Sequence, residues 1–173
     1  MSEILFHTPR LNCRRWQAED LEQIYAVYAD PEGARWVGDG QPITRDECER
    51  WLEVTANNYQ TRGYGMFALD EQSSKRTVGF AGLVHPDQQV EPEIKYAFLK
   101  SHWGQGLASE VVPALLNYGA AHHGLGEIIA TVAQENLPSQ RVLTKSGMAY
   151  SRAYTEEDGA ITQVYIWRAD GNV

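Results

Sequence analysis

The chain has 173 residues, of which 43% are hydrophobic and 22% are charged, and its formal net charge is −8. This length and composition favour a single domain over residues 1–173, with one sizeable core that needs no disulfides. Domains that bind nucleic acid usually present a basic face, so the acidic balance leads us to expect no nucleic-acid partner.

The N-terminal segment MSEILFHTPRLNCRRW lacks the charged-then-apolar pattern of a signal peptide. No stretch approaches the roughly 20 apolar residues that span a bilayer. Cys13 and Cys48 show neither a metal-binding spacing nor a disulfide framework. We therefore expect a cytoplasmic protein with no membrane partner and no metal.

The first half of the chain predicts one strand, two helices and a hairpin. "RLNCRRW" (10–16) alternates apolar and polar side chains as a strand does. Residues 18–30 have helical apolar spacing. A second helix begins after Thr44, which forms a capping-box signature with Glu47, and ends at Gly63. Residues 65–85 form two strand-like runs around a polar loop, which is typical of a hairpin.

The second half predicts a strand–loop–helix crossover at the centre of the sheet. "EIKYAFL" (93–99) alternates, so that Ile94, Tyr96 and Phe98 face one side and Glu93, Lys95, Ala97 and Leu99 the other. A glycine loop and a helix containing Pro113 follow.

The apolar run "EIIATVA" predicts a buried central strand. A short helix ending at Gly147 and a closing hairpin at Asp158-Gly159 complete the chain. The fold class is α+β, a central mixed and mostly antiparallel sheet of about seven strands flanked by about four helices.

The glycine loop "HWGQGLASE" (102–110) matches neither common phosphate-binding motif. Ser109 stands where a dinucleotide-binding fingerprint needs its third glycine, and the loop has no P-loop lysine. Gly104 and Gly106 nevertheless allow backbone N–H groups to approach a ligand, and the helix from Leu107 adds its positive end. An anion site and a tight turn without ligand both fit the loop alone.

The neighbouring motifs add a family resemblance. "TPRLNCRRW", "VGFAGL", "EIKYAFL", "WGQGLASE" and "ENLPSQRVLTKSGM" together resemble the GCN5-related N-acetyltransferase (GNAT) family over nearly the whole chain. They are most similar to its RimJ/RimL branch of ribosomal-protein N-terminal acetyltransferases. The resemblance implies the GNAT fold and an acyltransferase with acetyl-CoA as co-substrate, but it says little about the acceptor.

The resemblance also implies the residues that would hold acetyl-CoA. The loop would bind the pyrophosphate through the backbone N–H groups of Gly104, Gln105, Gly106, Leu107, Ala108 and Ser109. Trp103 departs from the family's polar residue at the first motif position, which removes one polar contact and leaves the backbone donors. Ala97, Phe98 and Leu99 would pair with the pantetheine arm, and Asn136 and Arg141 would lie along the same channel.

Transfer of an acetyl group from a thioester to an amine requires a base and an oxyanion donor. We predict that Glu93 acts as the base through a water, and that the Phe98 N–H faces the thioester oxygen. The alternative for Glu93 is an exposed strand-end carboxylate paired with Lys95 or Arg152. Glu91 and His85 are substitute bases.

The group beside the departing thiolate differs from the family pattern. Many members carry a tyrosine seven residues after the asparagine, where this chain has Leu143. Ser139 remains, and we predict that it holds the sulfur or relays a proton. The alternatives are that Ser139 only begins a helix and that Asn136 is only its N-cap.

The acceptor is the least constrained part of the prediction. In this family the loop around Trp36 borders the acceptor pocket, so Trp36 is a candidate substrate-binding residue. The acceptor would be an amine, either a peptide N-terminus or a small molecule such as a polyamine, an amino acid or an aminoglycoside. A non-catalytic CoA-binding sensor is the competing class, and the closing hairpin could pair across a homodimer.

Overall fold

The computed structural model describes residues 3–31 and 41–169. Within them one 8-stranded sheet has the order β1-β2-β3-β4-β5-β6-β8-β7. Its strands are Ile4–His7 (β1), Leu11–Arg15 (β2), Met66–Glu71 (β3), Thr77–Val84 (β4), Glu93–Phe98 (β5), Glu127–Ala133 (β6), Ala149–Thr155 (β7) and Ile161–Arg168 (β8). Neighbouring strands are antiparallel except β5 and β6, which are parallel. The predicted mixed, mostly antiparallel sheet is confirmed.

The described residues contain helices at the predicted places. They are Leu21–Tyr28 (α1), Arg45–Arg62 (α2), Leu107–His123 (α3) and Leu137–Lys145 (α4), with short 3₁₀ turns at Ala18–Asp20, Pro86–Gln88 and Lys100–His102. Thr44 and Glu47 form the predicted capping box at the start of α2. Helix α3 runs through Pro113 rather than ending there.

Strand β1 is the element that the sequence reading missed. It pairs antiparallel with β2 and forms one edge of the sheet. Its sequence, ILFH, begins with three apolar residues in a row, so it lacks the alternation that marks a strand packed on one face. In the structure its middle residues are half-buried and its end residues are exposed. Phe6 packs on Tyr118 of α3, with ring centroids 5.2 Å apart. Tertiary contacts of this kind, rather than local pattern, therefore place the strand.

The helices form two layers on opposite faces of the sheet. Helices α3 and α4 cover one face through Val111, Leu115 and Leu143, and we call this the α3/α4 face. Helices α1 and α2 cover the other through Ile24 and Cys48, and we call it the α1/α2 face.

Strand β5 contributes to both layers as its alternation predicts. Ile94, Tyr96 and Phe98 pack on the α3/α4 face, whereas Ala97 and Leu99 pack on the α1/α2 face. Each face of this strand therefore presents a different set of side chains to the site described next.

Candidate active site

A gap opens between β5 and β6 in the middle of the sheet. The two strands share a register partner only at Glu93 and Ile129, where the Ile129 N–H donates to the Pro92 carbonyl at 2.9 Å. Strand β5 is paired with β4 along its whole length, from Glu93 to Phe98. The remainder of its other edge therefore faces an opening that narrows towards Glu93.

The backbone of Phe98 faces this gap. The Leu99 N–H donates to the Val78 carbonyl at 2.8 Å, so Leu99 is turned towards β4. Backbone groups alternate between the two neighbours of a strand, which turns the N–H and C=O of Phe98 to the β6 side. The indole Nε1 of Trp103 donates to the Phe98 carbonyl at 2.9 Å. Of the segment Ala97, Phe98 and Leu99, it is Phe98 that offers a donor to the gap.

The glycine loop lies where β5 leads into α3. Gly104 and Gly106 have φ angles of +73° and +80°, a left-handed conformation that favours glycine. A Cβ on Gly104 would meet no atom within 4 Å. Within residues 3–31 and 41–169, no acceptor is paired with the backbone N–H groups of the loop and first helical turn: Gly104, Gln105, Gly106, Leu107, Ala108 and Ser109. Such a set of donors at the start of a long helix suits an anion.

This loop is held by an ion pair between Arg10 and Glu110, which no local sequence pattern predicts. The Arg10 Nη2 donates to the Gln105 carbonyl at 2.8 Å, and its Nε donates to Glu110 of α3. Thr8 Oγ1 also donates to Glu110 Oε1 at 2.8 Å. Burial raises the pKa of Glu110, but the hydrogen bonds from Thr8 and Arg10 outweigh it and leave the pKa below its ordinary value. Arg10 thus joins the β1–β2 turn to the loop and the helix.

Glu93 lies buried at the narrow end of the gap. Its relative exposure is 4%, so the alternative of an exposed carboxylate is wrong, although Lys95 Nζ does lie 3.6 Å from Glu93 Oε2. Thr131 Oγ1 on β6 donates to Glu93 Oε2 at 2.8 Å, and Gln89 Nε2 donates to Oε1 at 3.3 Å. The carboxylate is therefore held by both walls of the gap.

Among the described residues, neither substitute base nor Arg152 forms a hydrogen bond or ion pair with Glu93, although His85 lines the cavity described next. His85 uses both ring nitrogens, at 2.7 Å from Tyr64 Oη and 2.9 Å from the Gln89 carbonyl. Glu91 is exposed. Arg152 lies over the ring of Tyr154.

A cavity of about 630 Å³ lies beside this end of the sheet. It runs between the second half of α2 and the loop after β4, and its lining includes Asn58, Thr61 and Val84. Val84 is the register partner of Glu93 on β4, which places Glu93 at the same end of the sheet as the cavity.

Ser139 and Asn136 come together at the start of α4. The Ser139 N–H donates to Asn136 Oδ1 at 3.3 Å, so Asn136 is the N-cap. Its Nδ2 has no partner within the described ranges, which leaves the amide free for a further contact. Leu143 is 1% exposed and belongs to the core.

Tyr96 is the functional candidate that the sequence reading overlooked. Its Oη lies 2.5 Å from Ser139 Oγ, across the gap from β5 to α4. Burial raises the pKa of the phenol, and the hydrogen bond to Ser139 opposes that rise. The alternation of β5 places Tyr96 on the Phe98 face, but nothing in the sequence reveals that Ser139 lies opposite.

Arg141 is a predicted site residue that lies apart from this arrangement. Arg141 is exposed and lines a shallow cavity of about 420 Å³ together with Lys145 and Tyr165. Trp36 lies outside the described residues.

The described residues contain neither a metal-binding cluster nor a membrane-spanning helix. Residues 3–31 and 41–169 contain no group of three or more His, Cys, Asp or Glu side chains that could hold a metal ion. No helix in these ranges has both the length and the apolarity needed to cross a membrane.

The gap has a different chemistry on each face of the sheet. Glu93 and Thr131 lie on the α1/α2 face, as does Val84. Tyr96 and Ser139 lie on the α3/α4 face. A carboxylate and a pair of hydroxyls can therefore act on opposite sides of one group held in the gap, with the Phe98 N–H between them.

Comparisons with known proteins identify the family of the chain. The sequence model of the acetyltransferase (GNAT) domain matches residues 10–149. The chain is 29% identical over 168 residues to "Uncharacterized N-acetyltransferase p20" of Bacillus licheniformis, covering 93% of each chain.

Several solved structures have a fold similar to that of this chain. The GNAT-family acetyltransferase from Bacillus anthracis has a TM-score of 0.80 at 22% identity, covering 95% of this chain and 98% of that one. The ribosomal α-N-protein acetyltransferase RimL, solved with coenzyme A, has a TM-score of 0.82 at 16% identity, covering 98% of this chain and 100% of that one. The protein is an acyltransferase that belongs to the GNAT acetyltransferase family.

Proposed function

We propose that the protein transfers an acetyl group from acetyl-CoA to a primary amine by direct attack within a ternary complex. The observation that carries this proposal is the gap between β5 and β6, which has Glu93 on one face and Ser139 on the other. Holding both reactants in one gap removes most of the entropic cost of bringing them together.

Different residues of the chain would contact successive parts of acetyl-CoA. The N–H groups between Gly104 and Ser109 suit its pyrophosphate, and Arg10 holds that loop in place. The side-chain NH₂ of Asn136, whose Oδ1 caps α4, would contact the pantetheine amides. The Phe98 N–H is placed to donate to the thioester oxygen, where charge develops during transfer. Acetyl-CoA supplies the acetyl group and a thiolate leaving group.

Glu93 is the proposed base. An alkyl amine has a pKa of about 10 and arrives mostly protonated, so it must lose a proton before or during attack. Thr131 and Gln89 hold the two carboxylate oxygens. We propose that a water carries the proton from the amine to Glu93, because the carboxylate is buried at the narrow end of the gap.

The first acceptor that we propose is a protein N-terminal α-amino group. It is supported by the likeness to RimL, whose name states that it acetylates a ribosomal α-amino group. The second is a small-molecule amine. It is supported by the cavity of about 630 Å³ at the same end of the sheet as Glu93, because small-molecule pockets usually measure about 300–1,000 Å³.

The test is release of CoA thiol from acetyl-CoA with a panel of amines. The panel holds short peptides with N-terminal Ser, Ala or Asp, spermidine, amino acids and aminoglycosides. Release with the peptides alone supports the first acceptor class, and release with a small amine alone supports the second. Tight binding of CoA without release from any amine contradicts the enzyme proposal and favours a CoA-binding sensor.

A further inference from the structure

The hydroxyl pair of Tyr96 and Ser139 joins the two walls of the gap. Tyr96 lies on β5, and Ser139 lies in the first turn of α4, which follows β6. Their oxygens are 2.5 Å apart although the residues are 43 positions apart in the chain. A ligand arm that enters between the strands on this face meets both hydroxyls.

The direction of this hydrogen bond follows from the partners available. Within the described ranges the Tyr96 hydroxyl has Ser139 Oγ as its hydrogen-bond partner. A largely buried phenol proton needs an acceptor, so Tyr96 donates and Ser139 Oγ accepts. The proton of Ser139 is then free to point elsewhere.

Leu143, one turn of α4 after Ser139, cannot supply that donor. Its side chain is apolar and 1% exposed within the core. Among the described residues, Asn136, Ser139 and Tyr96 place polar groups on the α3/α4 side of the gap.

We propose that Tyr96 is a positioning residue that fixes the Ser139 hydroxyl as a hydrogen-bond donor to the departing CoA sulfur. This inference rests on the proposed function. The amine nitrogen forms a bond to the acetyl carbon as the C–S bond breaks, and the electron pair of that bond goes to sulfur. Ser139 donates to the sulfur, Tyr96 donates to Ser139, and the amine proton goes to Glu93 through a water.

The raised pKa of Tyr96 agrees with this arrangement. Burial favours the neutral phenol, so the phenol stays a donor at neutral pH. A phenolate could only accept a hydrogen bond from Ser139. The serine hydroxyl would then donate to Tyr96 and could not donate to the sulfur.

The first experiment measures binding by calorimetry, with CoA and with desulfo-CoA, which lacks the sulfur. The wild type should prefer CoA. Tyr96→Phe and Ser139→Ala should each reduce that preference about three- to tenfold, because a hydrogen bond to the sulfur has been lost or misdirected. Ser139→Thr, which keeps the hydroxyl, should retain most of it. Equal affinity of the wild type for the two ligands would overturn the inference, whatever the activity.

The second experiment measures steady-state kinetics with an amine that the wild type accepts. Tyr96→Phe should lower kcat about ten- to hundredfold with little change in the KM for acetyl-CoA. The double variant Tyr96→Phe/Ser139→Ala should be no slower than Ser139→Ala alone, because both changes act on the same hydrogen bond from Ser139 to the sulfur. Tyr150→Phe, at a tyrosine of β7 that is 56% exposed, is the matched control and should be as active as the wild type.

The outcomes separate the two proposals. A wild type that binds CoA but acetylates no amine contradicts the proposed function, and the preference for CoA over desulfo-CoA still tests the sulfur contact. A wild type that turns over while Tyr96→Phe keeps full kcat and full preference contradicts the inference alone.

Discussion

Strand β6 has two edges that differ sharply. On one side every residue from Glu127 to Ala133 has a register partner in the antiparallel strand β8. On the other side the parallel strand β5 pairs with it only at Glu93 and Ile129. Strand β6 is thus fully paired along one edge and almost unpaired along the other. A low β-propensity of its sequence therefore does not cause the gap.

The difference lies in how the two neighbours are reached. Strands β5 and β6 are parallel and joined by the crossover helix α3, whose first turn begins beside the gap. Backbone groups at the closed edge are paired inside the sheet. Those at the open edge need other partners, because unpaired polar backbone groups are costly to bury. In the complex that we propose, acetyl-CoA lying along β5 as an added strand would supply them.

The largest expected effect compares a glutamate at each edge. Glu93→Gln keeps the size of the side chain but removes the base, so kcat should fall about 10²- to 10⁴-fold with little change in the KM for acetyl-CoA. Glu127→Gln, at the closed edge beside Arg168, is the matched control and should change kcat by less than about twofold. The measurement is CoA release under saturating amine. Full activity in Glu93→Gln would mean that another group accepts the proton.

Sequence patterns predicted the parts of the fold that depend on local structure. The alternation of 93–99, the capping box at Thr44 and Glu47 and the left-handed φ of Gly147 agree with the structure. Each of these signals involves residues that are close in sequence, and their physical meaning is local.

The contacts that complete the site join residues far apart in the chain. Arg10 and Glu110 are 100 positions apart, and Tyr96 and Ser139 are 43 apart. Arg10 carries no local signal because its role depends on β1, a short edge strand that the pattern did not reveal. The burial of Glu93 likewise depends on Thr131 of β6.

A smaller effect compares two glycines that have left-handed φ angles. Gly104 (+73°) lies in the loop at the open edge and Gly159 (+90°) in the turn between β7 and β8. A Cβ at either position meets no atom within 4 Å. Each change to alanine should therefore cost about 1–2 kcal/mol of backbone strain.

The two glycine variants should differ in acetyl-CoA binding. Gly104→Ala should raise the KM for acetyl-CoA about tenfold, because its strain disturbs the loop that presents the N–H groups. Gly159→Ala should lower thermal stability to a similar extent and leave this KM unchanged. Equal KM values in the two variants would mean that the loop does not bind the pyrophosphate.

The smallest expected effect is a change in thermal stability at acid pH when the ion pair near each edge is removed. Glu110, beside the open edge, is 14% exposed, whereas Glu127 at the closed edge is 42% exposed. The pKa of Glu110 is lowered because hydrogen bonds from Thr8 and Arg10 outweigh burial. A lowered folded-state pKa stabilises the fold fully above the ordinary value of 4.5, and this contribution is lost as the pH falls through the folded-state value.

Glu110→Gln should therefore lower Tm near neutral pH and have progressively less effect below pH 4.5. A loss of about 1 kcal/mol corresponds to about 2–4 °C for a chain of this size. Glu127→Gln should change Tm less, because an exposed pair contributes about 0.2–1 kcal/mol. The measurement is thermal unfolding followed by circular dichroism across the acid range. If the Tm difference between wild type and Glu110→Gln stays constant down to the lowest pH, the charge on Glu110 does not hold the loop to α3. Its hydrogen bonds alone would then do so, and the open edge would be no more sensitive to acid than the closed one.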